Sequence, residues 1–159
     1  MLQYKLLHPE ILEALGQAGH GAMVLIADGN YPLATRSHRD AKRVYLNLAP
    51  DLVTATDVLR VLVEAIPIEA AHVMTPDSGE EPAIFAEFRE LLPGVELQPH
   101  GRFEFYDAAR GPDLALAIAT GERRIYANIL LTIGVVPPPG RCGGSRWPLR
   151  TSPERIVQR

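Results

Sequence analysis

The stretch Met23-Val24-Leu25-Ile26-Ala27-Asp28-Gly29-Asn30-Tyr31-Pro32 decides the fold of this 159-residue chain. Its first five residues form a continuous apolar run, which is long enough to make a buried strand. Its second half combines Asp, Gly, Asn and Pro, residues that mark a turn, so the strand should end at Ala27. Apolar periodicity on either side of this stretch switches repeatedly between helical and extended. That alternation indicates an α/β domain.

The first helix should start near Pro9, because proline suits the first helical turn, and Gly19 is a plausible helix stop. Beyond the central stretch, a helix capped by Thr56 is expected. The remaining predicted elements are strands over 44–48, 70–74, 114–119 and 129–133, and helices over 82–92 and 102–109.

The bulk composition is that of one folded domain. Apolar residues make up 47% and charged residues 22% of the chain, and the formal net charge is −3. A net negative charge gives no electrostatic argument for nucleic-acid binding. No apolar run approaches the roughly 20 residues that cross a bilayer, and the N-terminus lacks a signal core. Cys142 is the single cysteine, so no intrachain disulfide is possible, which fits a cytoplasmic protein. Because no apolar run is long enough to cross a bilayer, we also expect no membrane partner.

The end of the chain differs in kind from the rest. Residues 137–159 are rich in Pro, Gly and Arg, and carry five arginines against one glutamate. Such a segment cannot bury enough apolar surface to offset its ordering entropy, so we expect a flexible tail after a domain over 1–136. A basic arm that docks on an acidic partner is the alternative.

A histidine between two glycines is the first candidate for chemistry. In Gly19-His20-Gly21 the open backbone leaves the ring free to face a cavity, and an imidazole ordinarily titrates near neutrality. A lone loop histidine is more often a plain surface residue, so the motif alone leaves both interpretations open.

Other candidate residues lie where strands end or begin. Asp28 follows a predicted strand, the position where ligands gather in open α/β sheets, although an Asp before Gly-Asn is also a common turn residue. Tyr126 and Asn128 precede the last strand and offer an aromatic face, donors and an acceptor to a polyhydroxylated ligand. Arg102 could bind hydroxyl groups through its fork of donors. Each of these residues also has an ordinary structural interpretation.

Other chemistries find no support in the sequence. The five histidines show no metal-ligand spacing, and one cysteine excludes a thiolate zinc site. Phosphate-loop and nucleophile-elbow patterns are missing. We therefore expect no metal and no cofactor.

Taken in order, several short motifs resemble the D-ribose pyranase / L-fucose mutarotase family over roughly residues 1–136. They are His8-Pro9, Gly19-His20-Gly21, Ile26-Ala27-Asp28-Gly29-Asn30-Tyr31-Pro32, Arg102-Phe103-Glu104-Phe105-Tyr106, Thr120-Gly121-Glu122, Tyr126-Ala127-Asn128-Ile129-Leu130-Leu131 and Gly134-Val135. The Asp-Gly-Asn-Tyr-Pro and Arg-Phe-x-Phe-Tyr stretches look closer to fucose mutarotases than to ribose pyranases. Ala22 departs from the family pattern, which commonly has an acid there, and Gly29 stands in place of a more usual alanine.

The resemblance implies a fold, an assembly and a set of residue roles. The fold is a three-layer α/β/α sandwich with a central mixed sheet, and the assembly is a homo-oligomer with sites at subunit contacts. His20 resembles the catalytic proton donor, with Asp28 as its catalytic partner. The residues that resemble sugar-binding positions are Asp28, Arg102, Tyr126 and Asn128, with Tyr106 as a weaker candidate.

The implied activity is anomer exchange of a free monosaccharide, L-fucose or a similar sugar, by acid/base ring opening and closure. Ribose pyranase activity and a non-catalytic sugar-binding accessory role are the alternatives. Exchange rates for several sugars would separate them.

Overall fold

The computed structural model describes residues 2–138, so the predicted tail lies outside the described residues from residue 139 onward. Within that range the chain forms five helices and six strands. In chain order they are α1 Pro9–Gln17, β1 Met23–Ala27, α2 Leu33–Arg36, β2 Lys42–Tyr45, α3 Ala55–Leu62, β3 Ile68–Met74, α4 Ile84–Leu91, β4 Leu97–His100, α5 Arg102–Ala109, β5 Leu114–Ala119 and β6 Ile129–Ile133.

All six strands join one sheet, in the order β2-β5-β1-β6-β3-β4. The β2–β5, β5–β1 and β3–β4 pairs are parallel, whereas β6 runs antiparallel to both of its neighbours, β1 and β3. The predicted mixed sheet is therefore confirmed.

The two faces of the sheet are covered by different helices. On β1, Val24 and Ile26 pack into one apolar cluster with α1, α3 and α4, while Leu25 and Ala27 pack into a second cluster with α2 and α5. Successive strand residues point to opposite faces, so a strand with a helical layer on each face must be apolar throughout. This explains the continuous apolar run and confirms the three-layer α/β/α fold. No helix within residues 2–138 has the length and apolarity to span a bilayer.

The cap of α3 differs from the prediction. Thr54, not Thr56, is the N-cap: its side chain accepts the Asp57 backbone N–H, and the Asp57 carboxylate accepts from the Thr54 backbone. Such a reciprocal capping box satisfies two helix-end donors at once, so it sets the helix start two residues earlier. Thr56 is buried inside the first turn.

Three other elements also differ from the predictions. Strand β2 covers 42–45 rather than 44–48, because its partner β5 ends at Ala119, opposite Tyr45. Strand β4 was missed because Pro99 argues against a strand, yet proline is tolerated on an edge strand such as this one. Helix α2 has only four residues, too few for a helical period to show in the sequence.

The topology creates two chemically different ends of the sheet. The five parallel strands finish at the same end, where β6 begins; we call this the carboxyl end, and it carries Asp28, Arg102 and Asn128. We call the opposite end, where β1 and β3 begin and β6 finishes, the amino end. It carries His20 and Glu69.

Candidate active site at the carboxyl end of the sheet

A buried carboxylate–amide pair forms the centre of the carboxyl end. Asp28 follows β1 and Asn128 precedes the antiparallel neighbour β6, so pairing of these strands places the two side chains together. The Asn128 amide donates to Asp28 Oδ2 over 2.9 Å, and the Asn128 oxygen accepts the Asp28 backbone N–H over 2.9 Å. Both residues are under 5% exposed. This two-bond ring fixes the carboxylate in one orientation.

The environment of Asp28 shifts its ionisation. Burial raises the pKa of the Asp28 carboxyl, although hydrogen bonds from Asn30 and Asn128 to the charged form oppose that change. A carboxylate at a strand end that also titrates abnormally is a candidate for substrate contact.

Arg102 and Tyr126 extend the cluster toward solvent. The Arg102 Nη2 atom, at the start of α5, donates to the Tyr126 hydroxyl over 3.2 Å. Tyr126 has a φ of 63°, in the left-handed region that a residue with a side chain seldom adopts. Tyr126 is two residues from Asn128, so this left-handed backbone lies in the short segment that joins the phenol to the buried pair. Strain of this kind is characteristic of ligand-binding positions.

Tyr106 lies on the same helix but in a separate aromatic cluster. Its ring meets Tyr31 edge to face with centroids 5.4 Å apart, and the guanidinium of Arg36 lies 5.3 Å from the Tyr106 centroid. Tyr31 is buried and its hydroxyl donates to the Arg36 backbone oxygen. Tyr106 therefore supports the wall formed by α2 and α5.

An ion pair between a buried carboxylate and a partly exposed guanidinium braces the segment that leads to Tyr126. The carboxylate of Glu122 is 1% exposed and accepts two hydrogen bonds from the Arg124 guanidinium, over 2.9 and 2.8 Å. Burial alone would raise the pKa of Glu122, but hydrogen bonds from Arg124 outweigh it and the pKa is lowered. Arg124 also pairs with Glu87 of α4, so this segment is tied to the helical layer.

The close approach of two backbones accounts for glycine at position 29. The Gly29 N–H donates to the Glu122 backbone oxygen over 2.8 Å, and a Cβ at position 29 would lie 3.1 Å from that oxygen. Alanine would need a small local shift here, whereas glycine allows the contact without one.

Two open grooves border the cluster. One, of about 570 Å³, is lined by Tyr126, Arg124 and the 76–84 segment. The other, of about 520 Å³, is lined by Gly29, Asn30, the 47–50 segment and the 120–123 segment. Tyr126 thus borders one open groove and Gly29 the other, while the buried Asp28–Asn128 pair lies behind them and lines neither.

His20 lies at the amino end, away from the other candidates. It precedes β1 while Asp28 follows it, so the five-residue strand alone separates them by about 16 Å. The His20 side chain is 60% exposed, and its Nε2 lies 3.0 Å from Glu69 Oε2. The single chain therefore brings Asp28, Arg102, Tyr126 and Asn128 to one end of the sheet but leaves His20 at the other. Ala22 provides no acid, and the carboxylate that contacts His20 comes from Glu69.

Among residues 2–138, no group of three or more histidines, cysteines or acids is arranged to hold a metal ion.

Residues 1–136 match the profile of the RbsD / FucU transport protein family. The chain belongs to this family. A fucose mutarotase from Danio rerio is 30% identical over 149 residues, covering 86% of this chain and 94% of that protein. A D-ribose pyranase from Coprothermobacter proteolyticus is 26% identical over 131 residues, covering 82% of this chain and 95% of that protein. The predicted family membership is confirmed.

Solved structures of RbsD / FucU proteins share the fold. Bacillus subtilis RbsD complexed with D-ribose superposes with a TM-score of 0.75 at 24% identity, over 86% of this chain and 99% of that chain. The fucose mutarotase from Streptococcus pneumoniae in complex with L-fucose gives a TM-score of 0.72 at 26% identity, over 86% and 99%.

Sequence reasoning missed several contacts made by the candidate residues and their neighbours. Glu69 sits in an ordinary strand pattern, and only the three-dimensional pairing places it beside His20. Glu122 was noticed only within a motif, although an acid two residues before an arginine could have indicated a local ion pair. Arg36 carries no signal, because its position over Tyr106 depends on the packing of α2 against α5.

The raised pKa of Asp28 predicts how stability depends on pH. Below its ordinary value of 3.8, Asp28 is protonated in both the folded and the unfolded chain and has no effect. As the pH rises, the unfolded chain loses this proton first, so the folded state loses stability relative to it. We expect the free energy of unfolding of the wild type to fall relative to that of Asp28→Asn as the pH rises from about 3.5 to 7. Urea titrations at several pH values measure this difference, and a constant offset between the two proteins would contradict it.

Proposed function

We propose that this protein is an isomerase that exchanges the anomers of a free monosaccharide, L-fucose or a sugar of similar stereochemistry, without metal or cofactor. We assign the activity to residues 1–136, in the cytoplasm, and treat 137–159 as an accessory tail. The names of the relatives support this reaction class, since they include both a fucose mutarotase and a D-ribose pyranase.

The observation that carries the proposal is the polar cluster at the carboxyl end. The hydrogen-bonded Asp28–Asn128 pair and the Arg102–Tyr126 pair are linked through the short 126–128 segment. A carboxylate, an amide, a guanidinium and a phenol together offer both donors and acceptors, which a ring carrying several hydroxyl groups requires. We assign Asp28, Arg102, Tyr126 and Asn128 to sugar binding, with Tyr106 supporting the wall.

The chemistry needs only proton transfer. The anomeric hydroxyl gives its proton to water, the ring oxygen gains one from a protein acid, and the bond between the anomeric carbon and the ring oxygen breaks to give the open-chain aldehyde; ring closure reverses both proton transfers. Rotation about the neighbouring bond presents the other carbonyl face before the ring closes again. We assign ring-oxygen protonation to His20, with Asp28 positioning the sugar. Placed acid/base groups of this kind typically contribute about 10²–10⁴-fold.

The separation of His20 from Asp28 supports a shared site. Since the two lie at opposite ends of β1, one subunit cannot bring both to one sugar. We propose a homo-oligomer in which the amino end of one subunit meets the carboxyl end of the next. Such a head-to-tail contact uses two different surfaces and closes into a ring when the rotation permits. The exposure of His20 in the single chain fits this arrangement.

D-Ribose pyranase activity is the second candidate, because several relatives carry that name. It uses the same ring opening, followed by closure through a different hydroxyl. Which of the two reactions occurs depends on how the site holds the hydroxyl groups of the sugar, so exchange rates measured with different sugars must decide.

Magnetisation-transfer NMR on a panel of free sugars tests the proposal. We expect the full-length protein to accelerate exchange between the anomers of L-fucose above the rate in buffer. Faster pyranose–furanose exchange of D-ribose alone would favour the pyranase. Saturable sugar binding without faster exchange of any sugar would contradict the enzyme proposal and favour a binding accessory protein.

A further inference from the structure

Two histidines on neighbouring strands turn their rings toward each other. His72 lies in β3 and His100 ends β4, and the register pairs Met74 with His100. His72, two residues before Met74, therefore faces the same side of the sheet as His100. Nδ1 of His72 lies 2.9 Å from Nε2 of His100, and the ring centroids are 5.0 Å apart. Because 28 residues separate the two histidines, only strand pairing brings them together.

The backbone that carries this histidine pair is fixed by hydrogen bonds. His72 lies inside β3, paired with Leu130 of β6 on one side and with Gln98 of β4 on the other. The His100 backbone oxygen accepts two hydrogen bonds from Thr75, from its N–H over 2.9 Å and from its hydroxyl over 3.1 Å. Side chains built on paired strands are placed more precisely than side chains on loops. The two ring nitrogens are therefore held close together before any ligand arrives.

The protonation state of the pair suits metal binding. A histidine binds a metal ion through a neutral ring nitrogen. Burial lowers the pKa of His72, and the neighbouring His100 lowers it further, so the His72 ring is predominantly neutral at pH 7. In the free protein one of the two facing nitrogens carries the hydrogen that is shared with the other. When that hydrogen moves to the far nitrogen of its own ring, both facing nitrogens present lone pairs to one ion.

The spacing of the two nitrogens fits a metal ion whose ligands stand at right angles. Metal–imidazole bonds are about 2.0–2.1 Å long, so two such nitrogens lie about 2.9 Å apart at an angle of 90° and about 3.3 Å apart at the tetrahedral angle. The observed distance is 2.9 Å. Square-planar coordination by nitrogen and oxygen is typical of Cu²⁺ and Ni²⁺, and Cu²⁺ binds most tightly among the divalent first-row metals. Both histidines are only partly buried, so water can reach the remaining positions.

We propose that His72 Nδ1 and His100 Nε2 form a binding site for a divalent transition-metal ion, Cu²⁺ above Ni²⁺ and Zn²⁺, with water as the other ligands. Among the described residues no three histidines, cysteines or acids converge, so the site differs from a closed structural metal centre. The isomerase reaction proposed above uses no metal, and the ion site is independent of it. An ion held by both histidines joins the edge strand β4 to β3.

Calorimetric titration of the full-length chain with copper(II) chloride tests the site. The parent protein is Cys142→Ser, so that the single thiol neither binds nor reduces the ion. His72→Gln and His100→Gln should each weaken Cu²⁺ binding at least about tenfold, since loss of even an outer-shell partner of a metal ligand typically costs 10–100-fold. His38→Gln is the matched control: His38 is also partly buried, but its ring contacts a backbone N–H and not a second imidazole, and we expect unchanged affinity.

Measurements on the parent protein, with both histidines intact, do not depend on how the variants fold. Electron paramagnetic resonance of the Cu²⁺ complex should show coupling to two imidazole nitrogens. Substoichiometric Cu²⁺ should broaden the NMR amide signals of residues 71–74 and 98–101 before any others. The midpoint of thermal unfolding should rise with Cu²⁺ concentration, because the two strands hold the ion only in the folded chain.

Three results would overturn the ion site. They are equal Cu²⁺ affinity in the parent and in a folded His72→Gln protein, coupling to fewer than two imidazoles, and first broadening around His20 and Glu69. None of them bears on the proposed function, because sugar exchange is measured without added metal. Failure of sugar exchange likewise leaves the ion site standing.

Discussion

An equal mixture of His20→Ala and Asp28→Asn subunits is expected to regain about a quarter of the wild-type exchange rate, although neither variant is active alone. His20 and Asp28 lie at opposite ends of β1 in one subunit. Suppose that each site takes its histidine from one subunit and its carboxylate from the next. In a random mixture, half of the sites then receive an intact His20, and half receive an intact Asp28. One site in four then has both residues.

The single variants set the baseline for this experiment. His20 is 60% exposed, so His20→Ala should fold normally while losing about 10²–10⁴-fold in rate, the usual contribution of a placed acid. Asp28→Asn keeps the size of the side chain at the buried pair but cannot provide a carboxylate. Arg102→Ala is a second choice for the carboxyl end, because Arg102 is exposed and its removal should not disturb folding.

Co-expression of two differently tagged genes, followed by purification on both tags, provides the mixed oligomers. Magnetisation transfer on the preferred sugar then measures the rate. A mixture of His20→Ala with the double variant His20→Ala/Asp28→Asn is the control, since it contains no intact histidine and should remain inactive. A mixed preparation no faster than the sum of its pure components would place the site within one subunit or remove one of these residues from it.

The sequence predicted the central strands of the sheet well for a physical reason. Strands β1, β5 and β6 were predicted with the bounds that the structure has, since strands covered on both faces form continuous or nearly continuous apolar runs; Thr132 is the one polar residue in these three strands. Edge strand β4 was missed because it contains Pro99 and pairs on one side only. A strand with so weak a local signal forms because the neighbouring strand pairs with it.

Much of the candidate site also followed from the sequence. Asp28 and Asn128 could be expected at one end of the sheet because they flank strands, and their contact required only that β1 and β6 pair. The separation of His20 from Asp28 was equally available, since the two flank the same strand. Glu69 was not predictable, because its direction depends on a bulge that forms only when β3 pairs with β6.

Gly121→Ala is expected to destabilise the fold by about 3 kcal/mol, the upper part of the range for overpacking. A Cβ at this position would lie 2.3 Å from the Ala49 backbone oxygen and 2.5 Å from that of Leu52. Both are backbone atoms, so no side-chain rotation can relieve the contact. The 49–53 loop would have to move as a unit.

That loop is already held in a strained conformation, which increases the expected effect. Asp51 and Val53 have φ values of 58° and 61°, and residues with side chains in this region cost about 1–3 kcal/mol each. The strain is held by hydrogen bonds across Gly121: its oxygen accepts the Asp51 N–H over 2.6 Å, and its N–H donates to the Val53 oxygen over 3.0 Å. A displaced loop loses these bonds, and the neighbouring Gly29–Glu122 contact should loosen with it.

Thermal and urea unfolding at equal protein concentration measure the effect, because the midpoint of an oligomer depends on concentration. Gly16→Ala is the matched control. Gly16 is exposed on helix α1, and a Cβ added there would have no atom within 4 Å. This variant should therefore be as stable as the wild type or more stable by up to about 1 kcal/mol. If Gly121→Ala unfolded like Gly16→Ala, the 49–53 loop would have to accommodate a methyl group without breaking its bonds to residue 121. Close packing of the 49–53 loop around Gly121 would then not be what holds the segment leading to Tyr126 in place.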